Sequence, residues 1–329
     1  MTKVIQQHYV PQMILRRFTG GDGMMDVIER ATGRAWRSAP EGVACERYYN
    51  AVRTEQGELD TQAIEKRLGE IESNAEPILQ KLLEGTSISG EERSKVALFI
   101  TAQDFRSPRR RQEFADLALA VEHNGLSSSL PTSIEHYKQL VIAASESRSS
   151  FDPSKPRVDD RLKVEEDGTV SVAREDAVRA LAAAGTFAPV VADMDWVLLK
   201  APDGKRFVIS DSPVQLYEDL GGLPKHTGAA YWRESSKVTF PLTPSVYLIA
   251  AHATGLLRPN RLRRRDGTSS DWRFLNDLQL RSCYRQLYAT EATAGLKERC
   301  AKLPKLLNSL SFMPTTEDGL PVPVKVRRK

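Results

Sequence analysis

A chain of 329 residues, of which 40% are hydrophobic and 27% charged, can bury a sizeable core in one large domain or two ordinary ones. No apolar run approaches the roughly 20 residues of a membrane-spanning helix, which argues against a membrane protein. The formal net charge of +4, from 47 basic and 43 acidic residues, does not by itself indicate a nucleic-acid partner.

The cysteines and the N-terminus bear on the compartment. Cys45, Cys283 and Cys300 are widely spaced, form no CxxC pair and are odd in number, which excludes a disulfide framework and an all-cysteine zinc site. Residues 1–17 lack the continuous apolar segment of a secretory signal. We therefore expect a reducing, cytoplasmic location.

The chain begins with a predicted hairpin and a long helix. Residues 24–30 and 35–37, separated by a glycine-containing turn, predict strand, turn and strand. Apolar residues at steps of three and four predict an amphipathic helix over about residues 60–84, which Pro77 should kink or break.

Further helices follow. Ser89 and Glu92 have the spacing of a capping box, which predicts a helix start. Pro108 disfavours helical geometry in the residue before it, so this helix should end near Ser107. Another helix is expected over about residues 109–123.

The middle and the end of the chain differ in composition from the rest. Serine and proline accumulate in residues 126–160, which are predicted to be an insertion or a hinge. A short helix is expected at 177–184. The basic residues 311–329 are predicted to be a mobile tail, so that residues 1–310 form a single large domain.

The second half is predicted to be mainly β-structure. Residues 196–200 and 207–210, joined through an Asp-Gly turn, have the pattern of a hairpin, and residues 238–242 and 246–250 that of a second strand pair. A closing helix is expected over about residues 270–289. A helical part with a small hairpin, followed by a mainly antiparallel sheet and a closing helix, is an α+β fold.

Common catalytic motifs are absent from the sequence. It contains no P-loop, no dinucleotide-binding glycine fingerprint, and no HExxH, GxSxG or kinase motif. The five histidines share no metal-ligand spacing, although distant residues could still assemble a metal site. These histidines are His8, His123, His136, His226 and His252.

Three polar segments stand out beside structure-breaking prolines. His8 lies between aromatic and proline residues, which suits a base, an acid or a ligand, although it could simply cap the first helix. Gln103 and Arg106 share one side of a helix just before its proline stop. Asp211 ends an apolar strand, where it could serve a site or an ordinary turn.

Two further features have both a functional and an ordinary structural interpretation. Glu65 and Glu72 share a helix face and could point into a site, although solvent exposure is the default for such residues. Arginines cluster in three places, which suits phosphate binding but is equally typical of a solvated surface or a mobile tail. The clusters are Arg106, Arg109, Arg110 and Arg111; Arg258, Arg261, Arg263, Arg264 and Arg265; and residues 325–329.

Four short motifs together resemble a bacterial family known as domain of unknown function 4238. The chain has His-Tyr-Val-Pro at 8–11 and Gln-Asp-Phe-Arg-Ser-Pro at 103–108. It continues with Ser-Asp-Ser-Pro at 210–213 and Pro-Leu-Thr-Pro at 241–244. The order of the motifs matches the family, and the resemblance spans about residues 7 to 290.

The chain departs from the family pattern at two positions. Ser107 stands where threonine is usual and keeps the hydroxyl, whereas Ser212 stands where asparagine is usual and lacks the amide. Glu65, Glu72 and Asn276 also match polar positions of the family. The resemblance implies a shared polar site, because packing would leave apolar marks instead.

These observations favour a hydrolase-like enzyme acting on nucleic acid or a nucleotide, as a toxin or antiphage effector. The candidate catalytic residues are His8, Asp211, Glu72 and Gln103. The candidate substrate- and phosphate-binding residues are Arg16, Arg106, Ser107 and Asn276. If a divalent metal ion is needed, Glu72 and Asp211 could hold it.

The alternative is a non-catalytic module that binds nucleic acid or protein through its arginine clusters. In that case Arg106 and Asp211 would form a buried ion pair that fixes the fold. Convergence of His8, Arg106 and Asp211 on an open pocket would favour the enzyme instead.

Overall fold

The computed structural model describes residues 6–30, 32–53, 59–111, 113, 162–164, 170–172, 181, 183–219, 224–225, 230–253 and 261–303. Its helices are α1 (Gln12–Leu15), α2 (Ala63–Glu84), α3 (Gly90–Phe105), α4 (Ala183–Asp193), α5 (Ser269–Ser282) and α6 (Ala294–Ala301). The strands of the first half are β1 (Gln6–His8), β2 (Met25–Glu29), β3 (Ala35–Ser38), β4 (Cys45–Arg47), β5 (Val52–Arg53), β6 (Leu59–Asp60), β7 (Leu162–Val164) and β8 (Val170–Val172). Those of the second half are β9 (Asp195–Lys200), β10 (Ile209–Ser210), β11 (Gln215–Asp219), β12 (Pro224–Lys225), β13 (Ser236–Thr243), β14 (Val246–Ala251), β15 (Leu262–Asp266) and β16 (Gln286–Ala289). The predicted α+β fold, with an N-terminal helical part, mainly antiparallel sheets and a closing helix, is confirmed.

Two sheets organise these strands. The larger has six strands in the order β12-β11-β13-β14-β9-β15, all antiparallel except the pair of β15 with β9. The smaller has the order β10-β16-β2-β3 and is antiparallel throughout. Three two-stranded pairs, among them β1 with β4, complete the described strands.

Helices cover both faces of the six-stranded sheet. On one face α2, α3 and α4 pack on the sheet in the main hydrophobic core, where the rings of Phe99 and Phe240 meet edge to face at 5.9 Å. On the other face α5 contributes Leu275 and Leu278, which pack with Leu199 and other sheet residues. Each large side chain buried in this way contributes about 1.5–3 kcal/mol to folding.

Several local predictions are confirmed. The hairpin forms from β2 and β3, the strand pair from β13 and β14, and the capping box at Ser89 and Glu92 begins α3. Of the kink or break predicted at Pro77, the break does not occur, because α2 continues through it to Glu84. Pro77 is exposed, so water can bond the carbonyl that its ring leaves without a donor.

The predicted hairpin of residues 196–200 and 207–210 is wrong. Strand β9 pairs with β14 and β15, whereas β10 pairs with β16 in the other sheet. The Phe207 ring packs edge to face on Tyr247 at 5.0 Å, and its N–H donates to the carbonyl of Pro244. These contacts hold the chain beneath α5 and direct the next residues towards the smaller sheet.

Two helices differ in extent from the predictions. Helix α4 extends from Ala183 to Asp193, beyond the predicted end at 184, while most of the predicted range 177–184 lies outside the described residues. The closing helix α5 ends at Ser282. Residues 286–289, predicted as the end of that helix, form β16 instead.

Parts of the predicted organisation lie outside the described residues. They include the insertion or hinge at 126–160, the tail at 311–329 and most of the helix expected over 109–123, of which residues 109–111 and 113 are helical. Among the described helices, none combines the length and apolar character needed to cross a membrane.

Candidate functional site

His8 lies at the end of β1, half-buried, where the chain turns into α1. Its Nε2 is 3.5 Å from the side-chain nitrogen of Gln12, a position from which an amide N–H can donate to an unprotonated ring nitrogen. The Gln12 oxygen accepts from Arg16 at 2.6 Å, and Arg16 also reaches Glu41 at 3.1 Å. A polar chain therefore leads from the imidazole to the exposed guanidinium of Arg16.

Arg106 lies at the C-cap of α3 and is buried. Its Nη1 donates to Glu72 at 2.6 Å and its Nε to Gln103 at 2.8 Å. The amide of Gln103 in turn donates to the carbonyl of Tyr9 at 2.9 Å. Gln103 therefore ties the end of α3 to the segment that follows His8, and Arg106 ties it to α2.

Glu65 extends this polar group along α2, two turns before Glu72. Its Oε1 accepts from the side chain of Asn50 at 2.6 Å, and Asn50 is itself buried and held through its backbone N–H by Gln7. Glu65, like Glu72, is half-buried, and Asn50 holds one of its two carboxyl oxygens. The sequence only weakly indicates that Glu65 belongs to this polar group, because Glu65 and Glu72 are seven residues apart on one helix face.

Burial shifts the proton affinities of this group in opposite directions. It lowers the pKa of His8, and the charge of Arg106 acts in the same sense, whereas Glu72 raises it. Burial raises the pKa of Glu65, against the effects of Asn50 and Arg106. The His8 site, defined as His8, Glu65, Glu72, Gln103 and Arg106, thus combines an uncharged imidazole at neutral pH with a carboxyl group that holds its proton more tightly than usual.

Asp211 belongs to a different network. It follows β10, is fully buried, and accepts from the backbone N–H groups of Tyr284 at 2.7 Å, Arg285 at 2.5 Å and Gln286 at 3.0 Å. Burial raises its pKa to about 6, and the three N–H donors act in the opposite sense. The carboxylate therefore holds the turn between α5 and β16. Among the described residues it makes no hydrogen bond to His8 or Arg106, and its catalytic role stays a prediction.

Ser107 and Asn276 also have backbone partners. The Ser107 hydroxyl donates to the carbonyl of Asp104 at 2.7 Å. The Asn276 side chain accepts from Val208 N–H at 3.0 Å and donates to the carbonyl of Arg206 at 3.1 Å. Both therefore complete local backbone structure, and their substrate contacts stay predictions.

The first arginine cluster is engaged within the protein. Arg109 pairs with Glu113 at 2.9 Å, and Arg110 pairs with Asp104 at 2.7 Å. Arg111 donates to the carbonyl of Tyr49 and stacks over its ring, 3.6 Å from the centroid. In the second cluster, the residues from 263 to 265 are exposed on β15, while Arg258 and residues 325–329 lie outside the described residues.

A divalent cation does not fit the carboxylates expected to hold it. Glu72 accepts from Arg106, and both oxygens of Asp211 accept from backbone N–H groups, so a cation would have to displace these donors. Within the described ranges no group of three or more histidine, cysteine or acidic side chains is arranged to bind a metal. The expected ion pair of Arg106 with Asp211 is not formed either, because each has other partners.

Comparison with known proteins places the whole candidate site within one family. No match to the chain is found among curated proteins or solved structures. A family model, described as protein of unknown function (DUF4238), matches residues 6–293. This range includes every candidate residue from His8 to Asn276 and covers most of the chain. The chain belongs to the DUF4238 family.

Proposed function

We propose that this protein is a hydrolase acting on a phosphate-containing substrate, nucleic acid or nucleotide, with His8 as the general base. The observation that carries the proposal is the half-buried imidazole of His8 in the electrostatic field of the buried Arg106 and its half-buried partner Glu72. An imidazole whose pKa is lowered by burial is unprotonated at neutral pH and can take a proton from water. The most direct support is therefore the lowered pKa of the His8 imidazole, which leaves the ring unprotonated.

Arg16 is the residue best placed to contact a phosphate. Its side chain is 59% exposed, and its partner Glu41 is 56% exposed. Such an exposed ion pair contributes only about 0–1 kcal/mol, so a phosphate can replace Glu41 at little cost. Arg106 is 2% exposed and bound to Glu72, so it is a positioning residue that acts through the field it sets at His8.

Glu65 is the candidate for the general acid. Burial favours its protonated form, and Asn50 fixes one of its oxygens. A carboxyl group in this state can protonate a leaving oxygen while His8 activates the attacking water. The charges of Arg106 and Glu72 act on both His8 and Glu65, and two groups whose pKa values shift in opposite directions are typical of acid–base catalysis.

A cleavage screen with matched histidine variants tests the proposal. Labelled single- and double-stranded DNA, RNA and free nucleotides are incubated with the wild type, His8→Ala and His252→Ala, with divalent cations or with chelator. The ring of His252 binds the carbonyl of Tyr231, which is not part of the His8 site, so its variant controls for loss of an imidazole. We expect His8→Ala to lower turnover by about 10²–10⁴-fold.

Two outcomes would contradict the proposal. One is turnover by His8→Ala equal to that of His252→Ala, both folded by circular dichroism. The other is the absence of cleavage by the wild type on every substrate, which would move the assignment to a non-catalytic binding module.

We place the proposed activity in the cytoplasm, as a toxin or antiphage effector. Cys45, Cys283 and Cys300 are free thiols, which agrees with a reducing compartment. Induced expression in bacteria should slow growth with the wild type but not with His8→Ala. Equal growth inhibition by both would contradict the effector role.

The alternative, a binding module without chemistry, rests on the second arginine cluster. The first cluster is held by internal partners, whereas the arginines of β15 are exposed, although Arg264 donates to the carbonyl of Leu82 and Arg265 pairs with Asp271. Such a module needs no contribution from His8.

A further inference from the structure

Gln12 lies between the two side chains to which the proposed mechanism assigns the proton and the phosphate. It is the first residue of α1, four residues after His8, and is partly exposed. Its side-chain nitrogen is 3.5 Å from Nε2 of His8, and its side-chain oxygen accepts from Arg16 at 2.6 Å. A single amide group therefore links the imidazole to the guanidinium.

The chemistry of Arg16 determines the orientation of this amide. A guanidinium group can only donate hydrogen bonds, so the atom of Gln12 that faces Arg16 must be its oxygen. The amide nitrogen then faces His8, and it too can only donate. Nε2 of His8 must therefore offer a lone pair, which means that it carries no proton in the uncharged ring.

The other ring nitrogen of His8 is the donor to the backbone. Burial lowers the pKa of His8, whereas backbone hydrogen bonds with Pro40 and Glu41 raise it. Proline has no backbone N–H, so the group of Pro40 that bonds the ring is its carbonyl, which accepts from a ring N–H. Because Nε2 already accepts from Gln12, the nitrogen that donates is Nδ1. Two independent partners thus select the same tautomer.

Arg16 retains donors for a phosphate while it binds Gln12. Its bonds to Gln12 and to Glu41 both come from Nη2. Its Nε and Nη1 have no hydrogen-bond partner among the described residues, and the side chain is 59% exposed. A phosphate can therefore bind Arg16 without first displacing the amide that orients His8.

We propose that Gln12 is a positioning residue that holds His8 with a proton on Nδ1 and a lone pair on Nε2. Nε2 is then the atom that takes the proton from the attacking water, on the side of the ring that faces the amide bound to Arg16. This inference rests on the proposed hydrolase function, in which His8 is the general base, and it identifies the reacting atom and the residue that selects it.

The attacking water replaces the amide N–H at Nε2 without a change of tautomer. Its O–H bond breaks and the proton passes to Nε2, while its oxygen forms the new bond to phosphorus. The bond from phosphorus to the leaving oxygen breaks with its electron pair on that oxygen. The other tautomer would present a proton at Nε2 and could not accept one there.

NMR of isotope-labelled protein without substrate tests the proposal. Long-range correlations between the ring protons and ring nitrogens distinguish a protonated nitrogen from one with a lone pair. The variants are Gln12→Ala and Gln12→Glu, and the controls are Gln80→Ala and Gln80→Glu, at an exposed glutamine of α2 that bonds the side chain of Glu84. The charged residues that act on His8 or are linked to it through Gln12 stay unchanged in every variant: Arg16, Glu41, Glu72 and Arg106.

We expect uncharged His8 of the wild type to have its proton on Nδ1 and none on Nε2. Gln12→Ala should raise the pKa of His8, because a donor to Nε2 favours the unprotonated ring; an amide oxygen at this position would give the opposite sign. Gln12→Glu should raise it further, by at least about 1, because an acceptor of the same shape then favours a proton on Nε2. The Gln80 variants should leave it unchanged.

Turnover provides a second measurement of the same effect. A general base acts only when unprotonated, so below both pKa values kcat/KM of Gln12→Glu should fall about tenfold for a pKa higher by 1. The NMR result needs no substrate, which separates the two proposals. The expected tautomer without any cleavage by the wild type would contradict the hydrolase and retain the positioning role, whereas cleavage with the other tautomer would do the reverse.

Three results would overturn the role of Gln12. They are a wild-type ring with its proton on Nε2, a lower pKa of His8 in Gln12→Ala, and a pKa that changes no more in the Gln12 variants than in the Gln80 controls. Thermal unfolding of each variant identifies effects of misfolding. If Gln12→Glu is unfolded, the wild-type tautomer and the sign of the shift in Gln12→Ala still decide.

Discussion

The His8 site and the turn held by Asp211 are both polar clusters beside proline-containing segments, but they differ in how their hydrogen-bonding groups are satisfied. Asp211 is fully buried, and backbone N–H groups of three successive residues bind its carboxylate. His8, Glu65 and Glu72 are only half-buried, and each retains an accessible part. The first arrangement stabilises a turn, whereas the second leaves groups that a substrate can reach.

The comparison shows which polar residues call for a functional interpretation. A buried carboxylate with three donors has little remaining capacity to bind, and its removal should affect folding. His8 and Glu65, half-buried near the charge of Arg106, have shifted pKa values and accessible polar atoms, and their removal should affect activity. Stability and activity can therefore be measured separately to test whether the two clusters differ in this way.

The largest expected effect on stability is that of Asp211→Ala. Removing the carboxylate leaves three backbone N–H groups without their acceptor, so we expect the free energy of unfolding to fall by about 3 kcal/mol or more. Urea unfolding measures this value, with Asp203→Ala, at an exposed turn position, as the control. A decrease no larger than that of the control would remove the structural role given to Asp211.

The pH dependence of stability provides a second test of Asp211. Its pKa is raised from 3.8 to about 6 in the folded protein, so the folded state holds a proton more tightly than the unfolded state. The stabilisation from this group is complete below pH 3.8 and is lost as the pH rises to about 6. Asp211→Ala should lack this part of the pH dependence; an unchanged slope between these values would contradict the shift.

The sequence predicted what depends on local patterns and missed what depends on distant partners. The hairpin of β2 and β3 and the capping box of α3 follow from turn chemistry and side-chain spacing, so they were predicted correctly. The hairpin expected around the Asp-Gly turn was wrong, because β9 finds its partners in β14 and β15.

The candidate site shows the same limit. The sequence selected His8, Gln103 and Arg106, and the structure joins Gln103 and Arg106 directly and places His8 in the field of Arg106. It could not show that Arg106 binds Glu72, 34 residues away, because that contact depends on how α2 and α3 pack. Nor could it show that Asp211 faces backbone N–H groups more than 70 residues later in the chain.

A smaller effect, on activity, is expected for Glu65→Gln. Glutamine keeps the oxygen that accepts from Asn50, so the free energy of unfolding should change by only about 0.5 kcal/mol. If Glu65 is the general acid, turnover should fall at least about tenfold, and the decline in kcat with rising pH, which reflects loss of its proton above pH 4.5, should disappear. Wild-type turnover with an unchanged pH profile would exclude Glu65 from this role.

The smallest expected effects are opposite shifts in the pKa of His8. Glu72 raises this pKa and Arg106 lowers it, so Glu72→Gln should move the titration of the imidazole to lower pH and Arg106→Gln to higher pH. NMR titration of the His8 ring in the protein without substrate measures both shifts, and His252 in the same spectra is the internal control. A general base acts only when unprotonated, so the acidic limb of kcat/KM should move in the same direction as the titration in each variant. Shifts of the same sign in both variants would mean that repacking, and not charge, sets the state of His8, and the site would then resemble the Asp211 turn more closely than its exposure suggests.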